Sequence, residues 1–224
     1  MNFVDIVSRT RKSHIRQPED RACPDQYLGS LSTLEELLRV QNWEGVTREP
    51  VSQRPSSPAF IVVLESPHKD EYEGTPGPAK GATGRAIARW LRDVVGAIDG
   101  NADYSVIVVN AVQYQCSLGC ITSKHRDTLF KAVWESSGEA DFRKRLAGVH
   151  REGDIVICCC TKGRTNPPLR EMVFKAIKAT LPEARVLTRY HPASWWRNRN
   201  LRAPVDWHLS AWNVNGPSNQ TQSS

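Results

Sequence analysis

The sequence lacks a hydrophobic run long enough to cross a bilayer, and no apolar signal segment follows Met1. It also lacks the cysteine spacing of a disulfide framework. Three of the six cysteines, Cys158, Cys159 and Cys160, stand in a row, and a strand would point them alternately to opposite faces. We therefore expect a soluble, cytoplasmic protein in a reducing compartment, with these thiols as small apolar core residues.

A complete metal-ligand pattern is absent as well. Cys116, Cys120 and His125 follow one another closely, but a fourth ligand is missing and the spacing is loose. A Walker phosphate loop is excluded because Lys80 precedes Gly81 and no Gly-Lys-Ser/Thr follows. We expect a protein without a bound metal or cofactor.

Positive charge is in excess, since 30 lysines and arginines stand against 24 acidic residues and give a net charge of +6. That balance favours a polyanionic partner, although many basic proteins bind none. The apolar content of 39% is ordinary for a soluble domain. We predict one folded domain over residues 26–212, a basic polar arm at 1–25 and a disordered tail at 213–224.

Four short apolar runs rich in β-branched residues occupy the middle of the chain, and helical patterns separate them. The runs are 59–64, 104–109, 154–160 and 184–188, and the helical patterns are 83–98, 126–147 and 168–180. Runs without polar alternation are typical of parallel strands covered on both faces. The sequence therefore predicts an α/β fold, a three-layer α/β/α domain with a central, mostly parallel four-stranded sheet.

Polar residues follow each predicted strand. In open parallel sheets, ligands bind outside the carboxyl ends of the strands. We therefore expect the functional site to be built from the residues at these four ends, namely Glu65, Ser66, His68, Asn110, Thr161, Lys162 and His191.

Two of these residues have specific chemical potential. The amide of Asn110 can read the hydrogen-bonding edge of a base, or it can simply cap the chain. A neutral His191, held by Pro192, can donate to an oxygen that acquires negative charge, or it can be structural. Gly81 and Gly84 precede a helix, where they allow an anion to approach or merely give a flexible connection.

The stretch "RYHPASWWRNRNLR" at 189–202 combines cations with two tryptophans and contains no acid. Arginine suits phosphates, and tryptophan stacks on bases or wedges between them. A solvated basic face with one buried tryptophan is the alternative. The DNA-binding residues predicted here and on neighbouring loops are Trp195, Trp196, Arg197, Arg199, Lys162, Arg164, Lys80 and Lys124.

Four segments, in order and covering roughly residues 59 to 200, resemble motifs of the uracil-DNA glycosylase superfamily. They are "LESPHKDEY", "GPAKGATG", "VVNAV" and "HPASWWR". The resemblance implies that His191 stabilises the departing base anion and that Asn110 contacts the base edge. It also implies that Trp195 lies at the DNA-intercalating position, and that Glu65 and Ser66 line the face of the sugar from which water attacks.

The departures from the family pattern bear on mechanism and substrate. Ser66 stands where the family has its water-activating aspartate, so Glu65, Asp70 or Glu71 would have to supply that role, or leaving-group stabilisation would dominate. The implied base pocket consists of Pro67, His68, Ala79 and Gly81, in which Ala79 replaces a phenylalanine and His68 a tyrosine. A single amino-terminal cysteine, Cys23, does not fit the four-cysteine iron–sulfur cluster of some branches.

From these observations we expect a monofunctional DNA glycosylase that is monomeric and acts on double-stranded DNA. Both replacements enlarge the pocket and favour a bulky 5-substituted pyrimidine, such as glucosylated hydroxymethylcytosine in phage DNA, in antiviral defence. The alternatives are a uracil-DNA glycosylase of base-excision repair, a non-catalytic modified-DNA-binding module, and a small-molecule enzyme with Cys116 or Cys160 as nucleophile.

Overall fold

A six-stranded mixed sheet organises the protein, of which the computed structural model describes residues 3–10, 19–96, 103–117 and 122–197. The strands are β1 (Gln26–Ser30), β2 (Glu49–Pro50), β3 (Ala59–Leu64), β4 (Ser105–Asn110), β5 (Ile155–Cys158) and β6 (Arg185–Thr188). Their order across the sheet is β2-β1-β4-β3-β5-β6. The four strands from β3 to β6 run parallel, and β1 pairs antiparallel with both β4 and β2.

The four parallel strands lie where the apolar runs predicted them, but the prediction of a four-stranded sheet was incomplete. β1 and β2 extend the sheet beyond β4. β1 reads "QYLGS", and its register with β4 is irregular beside Gly29, whose φ is +104°. β2 has only two residues and lies in a proline- and serine-rich segment. Neither strand carries the continuous apolar run that marks a central parallel strand.

Helices cover both faces of the sheet and pack on alternate strand residues. The α-helices of the described residues are α1 (Phe3–Thr10), α2 (Leu31–Arg39), α3 (Ala82–Val95), α4 (Thr122–Val133), α5 (Glu139–Val149) and α6 (Leu169–Thr180). One core contains α1, α4, α5 and α6 with Ile61, Ile107 and Cys158, and the other contains α2 and α3 with Val62 and Cys159. Consecutive residues of one strand thus belong to opposite cores, and the alternation predicted for the cysteine triplet is confirmed.

The amino-terminal prediction needs correction. Residues 3–10 form helix α1, which contacts α4 and buries Phe3, Ile6 and Val7 in the core, so this part of the predicted arm packs on the domain. An amphipathic helix of eight residues next to basic residues is too short to be recognised from hydrophobic periodicity. The predicted tail lies outside the described residues. Within the described ranges, no helix has the length and apolar character that a membrane span requires.

A buried ion pair joins the strands at the amino edge of the sheet. Arg54 donates to both carboxylate oxygens of Asp154 at 2.8 and 3.2 Å, and both side chains are almost fully buried. Asp154 also accepts hydrogen bonds from the main-chain N–H groups of Ala59 and Arg151, both at 2.8 Å. The carboxylate therefore ties the start of β3 to the start of β5.

The strand order fixes where a ligand can reach the sheet. From β3 the chain first crosses to β4 on one side, and later crosses to β5 on the other side. In open α/β sheets such a reversal leaves a crevice at the carboxyl ends of the two diverging strands. The residues after β3 and β5 therefore meet at this switch point.

Gly84 offers a direct test of how the loop before α3 packs. A Cβ at Gly84 would lie 1.9 Å from the carbonyl oxygen of Ala79 and 2.6 Å from the Trp43 ring. We expect Gly84→Ala to lower the free energy of unfolding by more than about 2 kcal/mol, because a backbone atom must move. Gly148→Ala is the matched control, since its Cβ would meet no atom within 4 Å. It should raise the stability by up to about 1 kcal/mol through helix propensity. Urea denaturation measures both changes, and equal effects would contradict the packing described.

Candidate active site at the carboxyl edge of the sheet

The carboxylate of Glu65 is the centre of the site. Glu65 follows β3 directly and is only 6% exposed. Thr161, in the loop after β5, donates from its main-chain N–H to Oε2 at 3.3 Å and from its hydroxyl to Oε1 at 3.2 Å. The switch point of the sheet thus brings together two residues that are 96 positions apart.

A charged residue of α4, Arg126, lies next to Glu65 and is paired with Asp127 of the same helix. Arg126 in α4 places Nη1 3.6 Å from Glu65 Oε1, and it binds Asp127 Oδ1 at 2.8 Å. The other oxygen of Asp127 accepts the main-chain N–H of Arg164 at 2.5 Å. These contacts connect α4 to the loop after β5, so Glu65 is restrained from two elements.

His191 reaches the same carboxylate from the fourth parallel strand. It precedes a short 3-10 helix, Pro192–Ser194, and its Nδ1 accepts the main-chain N–H of Ala193 at 3.3 Å. In the neutral imidazole this bond leaves the proton on Nε2. Nε2 lies 3.9 Å from Glu65 Oε2. A hydrogen-bond donor and a carboxylate therefore converge at this edge of the sheet.

Asn110 lies at the same edge but is covered. It is the last residue of β4, pairs in register with Leu64, and is fully buried. Its Nδ2 donates to Cys23 Sγ at 3.8 Å, whereas its Oδ1 has no partner among the described residues. No hydrogen bond in the described part joins Asn110 to His191, so their predicted convergence on one cavity stays a prediction.

Asn110 is covered by the segment 19–25. Cys23 donates its main-chain N–H to the carbonyl oxygen of Gln113 at 2.7 Å, and Glu19 donates its N–H to the side chain of Gln115 at 2.8 Å. Both acceptors follow β4. The segment thus crosses the carboxyl end of β4 and closes that side of the sheet edge.

The three carboxylates proposed for water activation differ in their surroundings. Glu71 is buried and accepts the main-chain N–H groups of Ala79 and of His68, the latter at 2.9 Å. Asp70 is half-exposed and lies 3.3 Å from His68 Nδ1. Glu65 is the one positioned 3.9 Å from His191. The geometry therefore favours Glu65 for a joint role with the histidine.

The predicted base-pocket residues have mixed positions. Pro67 is buried and His68 is exposed, while the Ser66 hydroxyl is buried next to the Cys116 thiol. Ala79 is fully buried, with φ at +55°, and its carbonyl accepts from Arg48 at 3.2 Å. Ala79 is thus part of the packed loop and does not open toward solvent, which corrects its assignment to a pocket wall.

A polar groove of about 610 Å³ adjoins this loop. Its walls are Trp43, Glu44, Val46, Arg48, Asp70, Glu73, Lys80, Gly81 and Arg85. Gly81, placed before α3, is therefore at an accessible surface. Lys80 donates two of its three ammonium N–H bonds to the carbonyl oxygens of Glu73 and Thr75, so it holds the loop, and its predicted DNA contact stays a prediction.

The two adjacent tryptophans have opposite roles. Trp195 is fully buried in the core shared with α3, and its Nε1 donates to the carbonyl oxygen of Tyr190 at 2.8 Å. Its predicted role as a DNA wedge is wrong, because the 3-10 turn directs its indole inward. Trp196 is 66% exposed, and Arg197 lies over its ring at 5.5 Å.

Three of the predicted DNA-binding cations are exposed in the loops after β5 and β6. Lys162 and Arg164 are exposed in the loop after β5, and Arg197 is exposed after β6. Arg199 lies outside the described residues, as does the side chain of Lys124. The described cations are at the carboxyl edge, where Glu65 and His191 also lie.

The described cysteines are buried thiols. Burial raises the pKa of Cys116 to about 12 and raises the pKa of Cys160 well above its ordinary value. Neither thiol forms appreciable thiolate near neutral pH, which argues against the cysteine-nucleophile alternative. Cys120 lies outside the described residues, and the described part contains no metal-ligating group of three or more His, Cys, Asp or Glu side chains.

Comparisons with known proteins identify no relative of this chain. No family model matches the chain, and neither a curated protein nor a solved structure matches it.

The sequence indicates Glu65, Asn110 and His191 as site residues, but it does not indicate the side chains that contact them. Neither Arg126 nor Asp127 was singled out as a neighbour of Glu65. Cys23 was considered only as a cluster ligand. These contacts join residues far apart in the chain, and no local spacing signals them.

Glu71 gives a pH-dependent prediction. Burial raises its pKa from the ordinary 4.5 to about 7, although the Ala79 and His68 N–H groups oppose the shift. The folded protein therefore keeps this proton to higher pH than the unfolded chain does, and the contribution of Glu71 to stability falls as pH rises from 4.5 to about 7.

We expect the unfolding free energy of the wild type, minus that of Glu71→Gln, to decrease by roughly 1–3 kcal/mol between about pH 5 and about pH 7.5. Urea denaturation at both pH values measures this difference. The exposed Glu183→Gln variant is the control and should keep the pH dependence of the wild type. A constant difference for Glu71→Gln would show that Glu71 ionises normally in the folded protein.

Proposed function

We propose that the protein is a DNA glycosylase that hydrolyses the N-glycosidic bond of a flipped-out modified pyrimidine and leaves an abasic site. The observation that carries the proposal is the 3.9 Å approach of His191 Nε2 to Glu65 Oε2 at the switch point of the sheet. A carboxylate and a neutral imidazole donor are the two groups that this hydrolysis needs. The motif resemblance to the uracil-DNA glycosylase superfamily supports the same reaction.

In the proposed reaction, the target nucleotide leaves the helix so that its anomeric carbon becomes accessible. The bond between C1′ and the base nitrogen breaks, and its electron pair moves onto the base. His191 Nε2–H donates a hydrogen bond to the pyrimidine O2, where the charge accumulates. Water adds to C1′ and gives its proton to Glu65, which returns a proton to the departing base.

Glu65 can perform this role despite the serine at position 66. Its hydrogen bonds with Thr161 use one acceptor position on each oxygen. A carboxylate has about four such positions, so acceptor capacity remains on Oε2 for a water molecule. Ser66 cannot act as a strong base at neutral pH, and the water-activating function therefore moves to the preceding residue.

The DNA contacts we propose are the exposed ones. Trp196 offers an aromatic face for stacking on or wedging between bases, and Arg197 beside it suits a phosphate. Lys162 and Arg164 extend the positive surface from the loop after β5. Trp196 replaces Trp195 as the proposed wedge.

The substrate that we favour is a pyrimidine with a bulky polar 5-substituent, such as glucosylated hydroxymethylcytosine, and a role in defence against phage follows from it. His68 is exposed beside Asp70, and Asp70 and Gly81 are among the walls of the polar groove. The carboxylates that line the groove can accept hydrogen bonds from the hydroxyl groups of a sugar. Arg85, which also lines the groove, can donate hydrogen bonds to the oxygens of the same hydroxyl groups. Uracil is the alternative base, and repair of deaminated cytosine would then be the biological role.

A panel of DNA duplexes tests the reaction and the base together. The purified protein is incubated with unmodified, uracil-containing and glucosylated hydroxymethylcytosine-containing DNA, and abasic sites are cleaved with alkali. We expect strand breaks in the glucosylated DNA. Breaks in the uracil DNA alone would replace the substrate, and the absence of breaks in every sample would refute the enzymatic function.

Two substitutions test the proposed chemistry. We expect His191→Ala to lower the rate of base release about 10²- to 10³-fold, and Glu65→Gln about 10²- to 10⁴-fold, with DNA affinity nearly unchanged. Single-turnover kinetics and fluorescence anisotropy measure rate and affinity separately. The matched controls His150→Ala and Glu183→Gln lie near the amino edge and should keep the wild-type rate. Equal losses of rate and affinity would make His191 a DNA contact only.

An arginine pair tests the binding surface. We expect Arg197→Ala to weaken binding to all DNA sequences and to reduce the slope of log K against log salt by about 1, because one phosphate contact is lost. Arg185→Ala removes the same charge from the start of β6, at the opposite edge, and should leave the slope unchanged. Anisotropy titrations at several salt concentrations measure the slope, and equal effects of both variants would indicate nonspecific attraction.

A non-catalytic modified-DNA-binding module is the second candidate. The burial of Asn110 under Cys23 favours it, since a covered amide does not contact a base without movement of residues 19–25. Tight binding of modified DNA without abasic sites in the panel above would select this candidate.

A further inference from the structure

We infer that Thr161 is the positioning residue that orients the Glu65 carboxylate toward His191, an inference that rests on the proposed glycosylase function. The two oxygens of Glu65 are not equivalent. Oε1 lies 3.2 Å from the Thr161 hydroxyl and 3.6 Å from Arg126 Nη1, whereas Oε2 lies 3.3 Å from the Thr161 N–H and 3.9 Å from His191 Nε2. Oε2 is therefore the oxygen that meets the reacting groups.

The hydroxyl of Thr161 decides which way the carboxylate turns. Arg126 competes for the same oxygen, but at 3.6 Å it is beyond good hydrogen-bond distance, and its guanidinium is held by Asp127 at 2.8 Å. The hydroxyl at 3.2 Å restrains Oε1 where Arg126 does not capture it. Without this hydroxyl, the carboxylate is free to rotate toward Arg126 and accept a direct hydrogen bond from it, which carries Oε2 away from His191.

The loop that carries Thr161 is itself held in place. The main-chain N–H of Arg164 binds Asp127, and Leu169 donates its N–H to the carbonyl oxygen of Lys162 at 2.9 Å. Gly163 has a φ of +68°, and a Cβ there would lie 2.6 Å from Leu169 Cγ, so the turn requires glycine. The main chain that carries Thr161 is thus held by packing and hydrogen bonds.

The consequence is a loss of rate without loss of binding. Small misplacement of a reacting group costs up to about 10²-fold in rate. We expect Thr161→Val, which keeps the N–H donor and the side-chain shape but lacks the hydroxyl, to lower the single-turnover rate of base release about 10- to 100-fold. The dissociation constant for DNA should change less than about twofold, because Thr161 acts through Glu65. Thr161→Ser keeps the hydroxyl and should retain most of the wild-type rate.

The experiment measures single-turnover rates, DNA affinity and thermal stability for the wild type, Thr161→Val and Thr161→Ser on the modified duplex that the wild type cleaves. A rate loss confined to Thr161→Val supports the inference. A wild-type rate in Thr161→Val, or equal losses in both variants, overturns it and leaves the glycosylase function intact.

A structural measurement keeps the inference independent of activity. In a crystal structure of Thr161→Val, we expect Glu65 Oε1 to move within hydrogen-bond distance of Arg126 Nη1 and Oε2 to move away from His191. An unchanged carboxylate overturns the positioning role even if no DNA substrate is cleaved. Failure of the wild type on every duplex, by contrast, rejects the proposed function and not the orientation of Glu65 by Thr161.

Discussion

The in-register parallel pairing of β3 with β4 on one side and with β5 on the other is the constraint on which the site depends. Leu64 pairs with Asn110, and Val63 pairs with Cys158, so all three strands end at nearly the same level. Glu65 follows β3 directly, Asn110 is the last residue of β4, and Thr161 follows β5 after two further cysteines. Glu65 and Thr161 become neighbours because main-chain hydrogen bonds hold β3 and β5 side by side, and not because either loop has a strong preference of its own.

Much of the sheet was predictable because its central strands bury both faces. Every residue of the run "AFIVVL" is apolar, which favours a strand that is buried on both faces. β3 begins and ends where this run does. The edge strands carry no such signal, since β1 is interrupted by Gly29 and β2 contains Pro50. Helix α1 is only eight residues long, and its apolar positions gain meaning only once α4 provides a surface.

The candidate site was predictable in its types of residue and less so in their environments. Strand ends indicate that Glu65 and His191 share an edge, but not that they approach within 3.9 Å. Trp195 and Trp196 are adjacent residues of the same type, and the direction of a short 3-10 turn decides which indole is buried. Ala79 looks like a space-making replacement in sequence, whereas its backbone conformation and contacts with Glu71 make it a structural residue. Such distinctions depend on tertiary packing, which periodicity does not report.

The ion pair between Arg54 and Asp154 stabilises the sheet at the edge opposite to the candidate site. It joins β3 to β5 at the amino edge, and the loops after these strands emerge at the opposite edge. Residues at the carboxyl edge can therefore diverge under selection for new targets without weakening the link that holds the strands together. A fold built in this way can accept substitutions in the loops of the carboxyl edge while the amino edge keeps the strands paired.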